Sequence, residues 1–361
     1  MTHALPDPAP DTTSSSTNVA APLPVAVVGN GRSSRYCVEC LTLDPRFTLA
    51  AQFKTVPLEL DAPSLAAVFV LNALPDRQQA IAQCLHAGLR VVTESPAAVD
   101  PAAFAADADV NAAAGDPSRV LVLRRNYEDP DFRRACQVIA DGEAGDVRHV
   151  EYLLLRMAAF FLPAAPDAPD PTDWPPPAEL EHGALTAFGP DLLAQTLTLI
   201  PQPVVRVFAT LSYHRPEFGP VEAPPGVSRV ASRPDSVDTG FRVWLEFDSG
   251  QTAQLTVDLA AHADVVTGWT LQTTRGGYRQ SRQVLTEPDG EIYDVPVEPQ
   301  PNTLLDAVAT FLASDGPAQD EASSPHLPEP LFSLQTEFRV LKLLEAIRES
   351  AAKQQAVTCQ I

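Results

Sequence analysis

The sequence is short of positive charge. Its 361 residues hold 25 Lys and Arg against 46 Asp and Glu, a formal charge of −21, which opposes nucleic-acid phosphates and anionic lipid headgroups over most of the surface. Nucleic acid and membrane are therefore set aside as partners. Lysine occurs only at Lys54, Lys342 and Lys353, so arginine carries nearly all the positive charge. Cysteine is scarce as well: five residues, an odd number, mostly inside apolar segments, do not make a disulfide framework. Cys37 and Cys40 form a CxxC, yet no second pair and no nearby histidine completes a metal set, so they read as buried helix cysteines and no metal is expected. No apolar run approaches the roughly 18–20 residues that cross a bilayer. Residues 1–23 are rich in Pro, Ser, Thr and Ala, with no basic start and no long apolar stretch. They read as a disordered tail rather than a leader, and the expected location is the cytoplasm.

What is present is enough apolar material for two cores, since 45% of the residues are hydrophobic. From Pro24 to Leu123, short apolar runs alternate with helical patterns, the signature of a parallel sheet wound with helices. Val25–Val28, Phe47–Phe53, Ala67–Leu71, Leu89–Thr93 and Val120–Leu123 read as strands. Pro75-Asp76 and Asp100-Pro101 open helices, and Gly88 ends the first of them. The stretch KTVPLELDAPSL, residues 54–65, is too short for a helix and a further strand. A sheet lacking one edge strand is the consequence.

Beyond residue 124 the character changes to a run of strands: Val147–Met157, Val204–Leu211, Gly240–Phe247, Gln251–Leu259, Thr270–Thr274 and Glu291–Val297. Strands gathered in one block predict an open, mainly antiparallel sheet with helices on one face. Proline-rich and charged segments at 162–180, 214–236 and 314–330 read as loops. A helix over 330–353, with Phe332, Phe338, Leu341, Leu344 and Ile347 at helical spacing, closes the chain and is free to pack back on the first sheet.

Several passages in order resemble one family. LRRNYEDPDF followed by IADGEAGDVRHV (123–150) is similar to a passage between two domains, and includes Gly142 and Gly145. FRVWLEFDSGQTAQLTVDL (241–259), LQTTRGGYR (271–279) and EFRVLKLLEAIRESAAKQQAVTCQ (337–360) resemble a sheet hairpin, the strand and turn after it, and a closing helix and strand. Together they resemble the Gfo/Idh/MocA proteins, the family of glucose–fructose oxidoreductase and inositol dehydrogenase. The resemblance implies a Rossmann-like nucleotide-binding domain at 24–124 and a C-terminal α/β sheet domain at 125–361. It also implies hydride transfer between NADP or NAD and a small polyol, sugar or carbonyl ligand, and a homodimer or homotetramer built through the C-terminal sheet.

The turn VAVVGNGRSSRY (25–36) supplies Gly29 and Gly31 as a pyrophosphate cradle at a helix start, or equally as an inherited tight turn without a ligand. Ser34 stands where a dinucleotide loop places its third glycine, and is small enough to be accommodated. Lys54 occupies the position of the acidic residue that would hold the adenosine ribose. With Arg32 or Arg35 it could instead meet the extra phosphate of NADP. Asn72 and Glu94, each beyond a strand, complete the cofactor set, with Glu94 orienting the cleft turn.

In relatives a Glu-Lys-Pro turn supplies a lysine, and an Asp and a His lie four residues apart on one helix, so that both reach the same substrate carbon. Here the turn reads Glu94-Ser95-Pro96, Ala187 takes the Asp position, and Asp191 takes the His position. Ala194 falls at a further position often held by Asp. Of Ser95, Ala187 and Asp191 only Asp191 titrates. It is either a general base with its pKa raised by burial, or a first-turn residue that favours the helix dipole. His182, just before the same helix, is the other acid–base candidate. Arg125, Tyr127 and Trp174 are expected near the cleft or its hinge. An enzyme with an altered acid–base set and a non-catalytic ligand-sensing or partner-binding protein are the two resulting expectations.

Overall fold

The computed structural model describes residues 21–57, 64–124, 145–155, 183–213, 238–261, 266–281, 284–286, 292–294, 303–313 and 332–361, with isolated positions between 132 and 142. Residues 1–20 of the expected tail, the three proline-rich loops, Arg125, Tyr127, Trp174 and His182 lie outside the described residues; the tail's expected last residue, Leu23, instead opens the first strand, its N–H donating to the Arg46 carbonyl at 2.8 Å.

Strands β1 (Leu23–Val28), β2 (Phe47–Phe53), β3 (Ala67–Val70), β4 (Val91–Glu94) and β5 (Val120–Leu123) form a five-stranded sheet in the order β2-β1-β3-β4-β5, with every pairing parallel. Val25 to Val28 and Ala67 to Val70 are all fully buried, as continuous apolar runs must be when helices cover both faces. Each fully buried Val or Phe contributes about 1.5–3 kcal/mol. Helices α1 (Arg32–Leu43), α2 (Leu74–His86), α3 (Pro101–Ala106) and α4 (Ala108–Ala114) supply the cover. Among the described residues β2 is an edge, in agreement with the shortened connection after it. Where one helix is expected after Asp100, the Asp107 carboxylate accepts from the N–H groups of Asp109 and Val110 and starts a second.

The second sheet has nine strands: β6 (Val147–Leu155), β7 (Val204–Ser212), β8 (Gly240–Phe247), β9 (Thr252–Asp258), β10 (Val266–Thr273), β11 (Gly277–Ser281), β12 (Val284–Thr286), β13 (Ile292–Asp294) and β14 (Val357–Thr358). Their order is β13-β12-β11-β10-β6-β9-β8-β7-β14. Only β6 and β9 pair in parallel, so the sheet is mainly antiparallel as expected. Along β8, Phe241, Val243, Leu245 and Phe247 are buried while Arg242, Trp244 and Glu246 face outward. That alternation is the mark of a sheet with one packed face.

Three further helices tie the parts together. α5 (Ala184–Leu199) packs on β6, β8 and β9. α6 (Thr303–Ala313), which the hydrophobic pattern did not single out, lies against the first sheet: Arg46 pairs with Asp306 at 2.6 Å, and Arg90 donates to the carbonyls of Phe311 and Leu312 at the end of α6. α7 (Leu334–Lys353) begins four residues later than the expected 330, where Ser333 accepts from the Thr336 N–H at 3.1 Å. It runs along β7 and α5 and also touches α3, α4 and β5, bridging the two sheets.

Candidate functional site

The carboxyl ends of parallel strands leave a crevice where the strand order reverses. Here β1 pairs with β2 on one side and β3 on the other, and the chain turns out of β1 at Gly29. Gly29 has φ +139°, a backbone region that favours glycine, and a Cβ there would come within 2.7 Å of the Leu71 carbonyl oxygen. Its N–H is held by the Phe53 carbonyl at 2.8 Å. The turn is therefore pressed against the ends of both flanking strands.

Gly31 is the N-cap of α1, and no side chain caps its first turn. Arg32 is the first residue of that helix. Ser34 is fully buried and its hydroxyl donates to the Gly31 carbonyl at 2.8 Å. The serine at the third-glycine position thus fits beneath the turn and closes it from inside, without facing the crevice.

Asn72 follows β3, and its Nδ2 donates to the Lys54 carbonyl beyond β2 at 3.1 Å. Because β1 lies between these strands, the side chain crosses the end of β1. It is 6% exposed, and its Oδ1 is a buried acceptor with no hydrogen-bond partner among the described residues. Lys54 is exposed at the same end of the sheet.

The third edge of the crevice is the Glu94-Ser95-Pro96-Ala97 turn after β4, which contains a cis Ser95–Pro96 bond. Arg77 of α2 donates to the Glu94 carboxylate at 3.2 Å and to the Asn72 and Pro96 carbonyls at 3.0 Å each. On the opposite side Glu337 of α7, fully buried, accepts from the Ser95 hydroxyl at 2.8 Å, from the Ala97 N–H at 2.7 Å and from the Arg124 guanidinium at 2.5 Å. The Ser95 hydroxyl is therefore directed at an internal carboxylate. Neither the catalytic motif nor the helical pattern of 330–353 signalled Glu337 or Arg77, because a charged residue in a helix reads as surface until its partners are in place.

α5 opens at Gly183, φ +91°, where a Cβ would collide with the Asp238 carboxylate. That carboxylate accepts from the Leu185 N–H at 2.7 Å, and Arg348 of α7 donates to Thr186 Oγ1 at 3.1 Å. Asp191 lies about two turns into this helix, so the expectation of a first-turn residue favouring the dipole is overturned: the helix starts seven residues earlier, capped by Asp238 rather than by the Pro190 step. Asp191 is 9% exposed, yet Ala187, Phe188, Gln195 and Thr198, its neighbours at helical spacing, are the helix's half-buried positions. It sits at the centre of the least covered stripe of α5.

Three of the thiols are held protonated. Burial pushes Cys84 and Cys136 up to about 12, and burial, with the Glu94 charge adding to it, raises Cys37 further. No group of three or more His, Cys, Asp and Glu residues suited to a metal occurs among the described residues, and no helix there is long and apolar enough to cross a membrane.

Residues 132–279 match the GFO/IDH/MocA C-terminal domain family. None of the curated proteins matches the chain. Solved structures match nearly end to end. The GenD2 protein of gentamicin A biosynthesis, in complex with NAD, is 20% identical with a TM-score of 0.63, covering 96% of this chain and 98% of its own. A myo-inositol dehydrogenase from Corynebacterium glutamicum is 16% identical with a TM-score of 0.63 over 93% and 98%. An NAD-binding protein from Listeria innocua is 19% identical with a TM-score of 0.63 over 94% and 99%. At these identities the likeness is one of fold.

Proposed function

We propose that the chain, whose residues 132–279 match the GFO/IDH/MocA C-terminal domain, is an oxidoreductase of that family and binds a nicotinamide dinucleotide, NADP ahead of NAD, together with a small polyol, sugar or carbonyl ligand. The observation that carries this reading is Asn72 Oδ1: a buried acceptor without a hydrogen-bond partner among the described residues, set across the glycine turn, suits a ligand donor. The cradle fits the group. Gly29 keeps backbone against backbone, Gly31 and the uncapped first turn of α1 present N–H groups to a pyrophosphate, and Arg32 begins that turn. Lys54, exposed at the adenosine end, is suited to an extra phosphate rather than to ribose hydroxyls. That GenD2, similar in fold, is in complex with NAD supports a nicotinamide cofactor in general.

When bound, the nicotinamide ring would supply the hydride donor or acceptor. The chain's own part is to orient that ring and to move a proton at the alcohol or carbonyl oxygen. Asp191 is the titratable group at the family's acid–base positions and takes the proton role here, with His182 the second candidate. The outward face of the second sheet, with Phe208 and Trp244 exposed or half-exposed beside the Arg206–Glu246 pair, is the proposed surface for a homodimer or homotetramer.

One observation favours a second reading, a non-catalytic ligand sensor. The Ser95 hydroxyl is bonded to Glu337 rather than directed at a substrate, and Ala187 offers no functional group. Titration with NADH and NADPH at low and high salt, followed by nicotinamide fluorescence and thermal melting, separates these readings. Binding with turnover on a polyol and sugar panel supports the first, binding without turnover supports the second, and no response to either nucleotide sinks both cofactor readings.

A further inference from the structure

We propose that Arg77 is a positioning residue that locks the ends of β3 and β4 into one edge of the crevice and cancels the Glu94 charge where an anionic dinucleotide must approach. The proposal rests on the reading of this crevice as a dinucleotide site. Four acceptors converge on one guanidinium, itself 7% exposed: the Asn72 carbonyl at 3.0 Å, the Glu94 carbonyl at 3.3 Å, the Pro96 carbonyl at 3.0 Å and Glu94 Oε2 at 3.2 Å. Three backbone carbonyls and a carboxylate from two separate loops suit a planar, multi-pronged cation and not a lysine, whose ammonium is a compact point charge with three donors.

The arrangement has two consequences. Asn72 is held by its own backbone, which fixes where its unsatisfied Oδ1 lies, and the turn that carries Ser95 is held from the α2 side as Glu337 holds it from the α7 side. The Glu94 side chain, still 18% exposed, would otherwise present an uncompensated negative charge. The groups around it are Arg77 from α2 and Cys37 from α1, the latter kept uncharged by burial. Glu337 and Arg124 pair with each other across the same turn.

The test compares the parent with Arg77→Met, Arg77→Lys, Glu94→Gln and the Arg77→Met/Glu94→Gln double variant. NADPH is titrated by fluorescence at pH 8, melting curves confirm folding, and amide hydrogen exchange of the nucleotide-free proteins is followed over residues 71–73 and 94–97. Arg77→Met is expected to bind about tenfold more weakly at pH 8. Part of that loss should return in the double variant, where the Glu94 charge is gone. Exchange should quicken at both loop segments, with Arg77→Lys intermediate. A folded Arg77→Met protein with parental affinity and parental exchange overturns the proposal, as does a loss of affinity unrelieved by Glu94→Gln. Should Arg77→Met not fold, the same comparisons are read in Arg77→Lys. Should the parent bind no nucleotide, the cofactor reading fails by itself, and the exchange data alone decide whether Arg77 locks the two loops.

Discussion

The Ser95 hydroxyl donates to Glu337 Oε2 at 2.8 Å across 242 residues of chain. The same oxygen receives Arg124 at 2.5 Å, so the turn after β4, the end of β5 and the first turn of α7 share one buried charge pair. Since α7 also meets α5, which bears Asp191, this junction fixes the crevice at the glycine turn against the second sheet's helix.

Removing that carboxylate should be costly. Glu337→Ala strips Arg124 of its counter-charge and the Ala97 N–H of its acceptor, and is expected to lower stability by about 3–5 kcal/mol. Ser95→Ala deletes a single hydrogen bond and should cost about 1–2 kcal/mol. Urea unfolding of the two variants beside the parent checks the order and the gap.

Gly29→Ala meets both an unfavourable φ and the Leu71 carbonyl. The backbone conformation alone is worth about 1–3 kcal/mol, and relief of the collision would push the turn away from β3. The expected outcome is a lower melting temperature together with weaker NADPH binding, measured on one preparation.

Lys54→Asp should reverse nucleotide preference. The exposed amine favours a second phosphate, whereas a carboxylate repels it and accepts from ribose hydroxyls. The ratio of NADPH to NADH affinity is expected to fall by about tenfold or more at low salt, and by less at high salt as screening grows.

Asp191→Asn tests the proton role apart from binding. Loss of a positioned acid–base group lowers turnover by about 10²–10⁴-fold and leaves the nucleotide dissociation constant unchanged. Steady-state rates on the ligands found active in the polyol panel, set beside fluorescence titrations, distinguish this from a binding defect.

His149 gives a stability signature. Desolvation holds its imidazole below the usual 6.5, outweighing the pull of Glu151 and the bond with Thr252. A folded-state pKa below the unfolded one means that the unfolded chain takes up the proton first, so stability is full above about pH 6.5 and falls as the pH drops below it, levelling beneath the folded value. His149→Gln should flatten the urea midpoint through that window.

The sheet core was legible because its signals are local. Val25–Val28 and Ala67–Val70 are apolar runs bounded by turn residues, and Asp100-Pro101 caps a helix wherever it stands. Asp191 was misplaced within its helix because the true start depends on Asp238, some fifty residues away, whose carboxylate meets the Leu185 N–H. α6 escaped notice between proline-rich segments, since its anchoring partners Arg46 and Arg90 are far back in the chain.

By itself, then, the sequence determined two sheets of different kind, a glycine turn at the end of β1, and a Glu94-Ser95-Pro96 turn after β4, all of them matters of residue type and near-neighbour spacing. Only the tertiary structure decided what these residues do. Where the Ser95 hydroxyl points, what neutralises Glu94 and which Asn72 atom is left without a bond among the described residues depend on Glu337, Arg77 and Lys54, brought together by packing. A buried charge acquires its role from the partners that repay its desolvation, and those partners are far away in sequence.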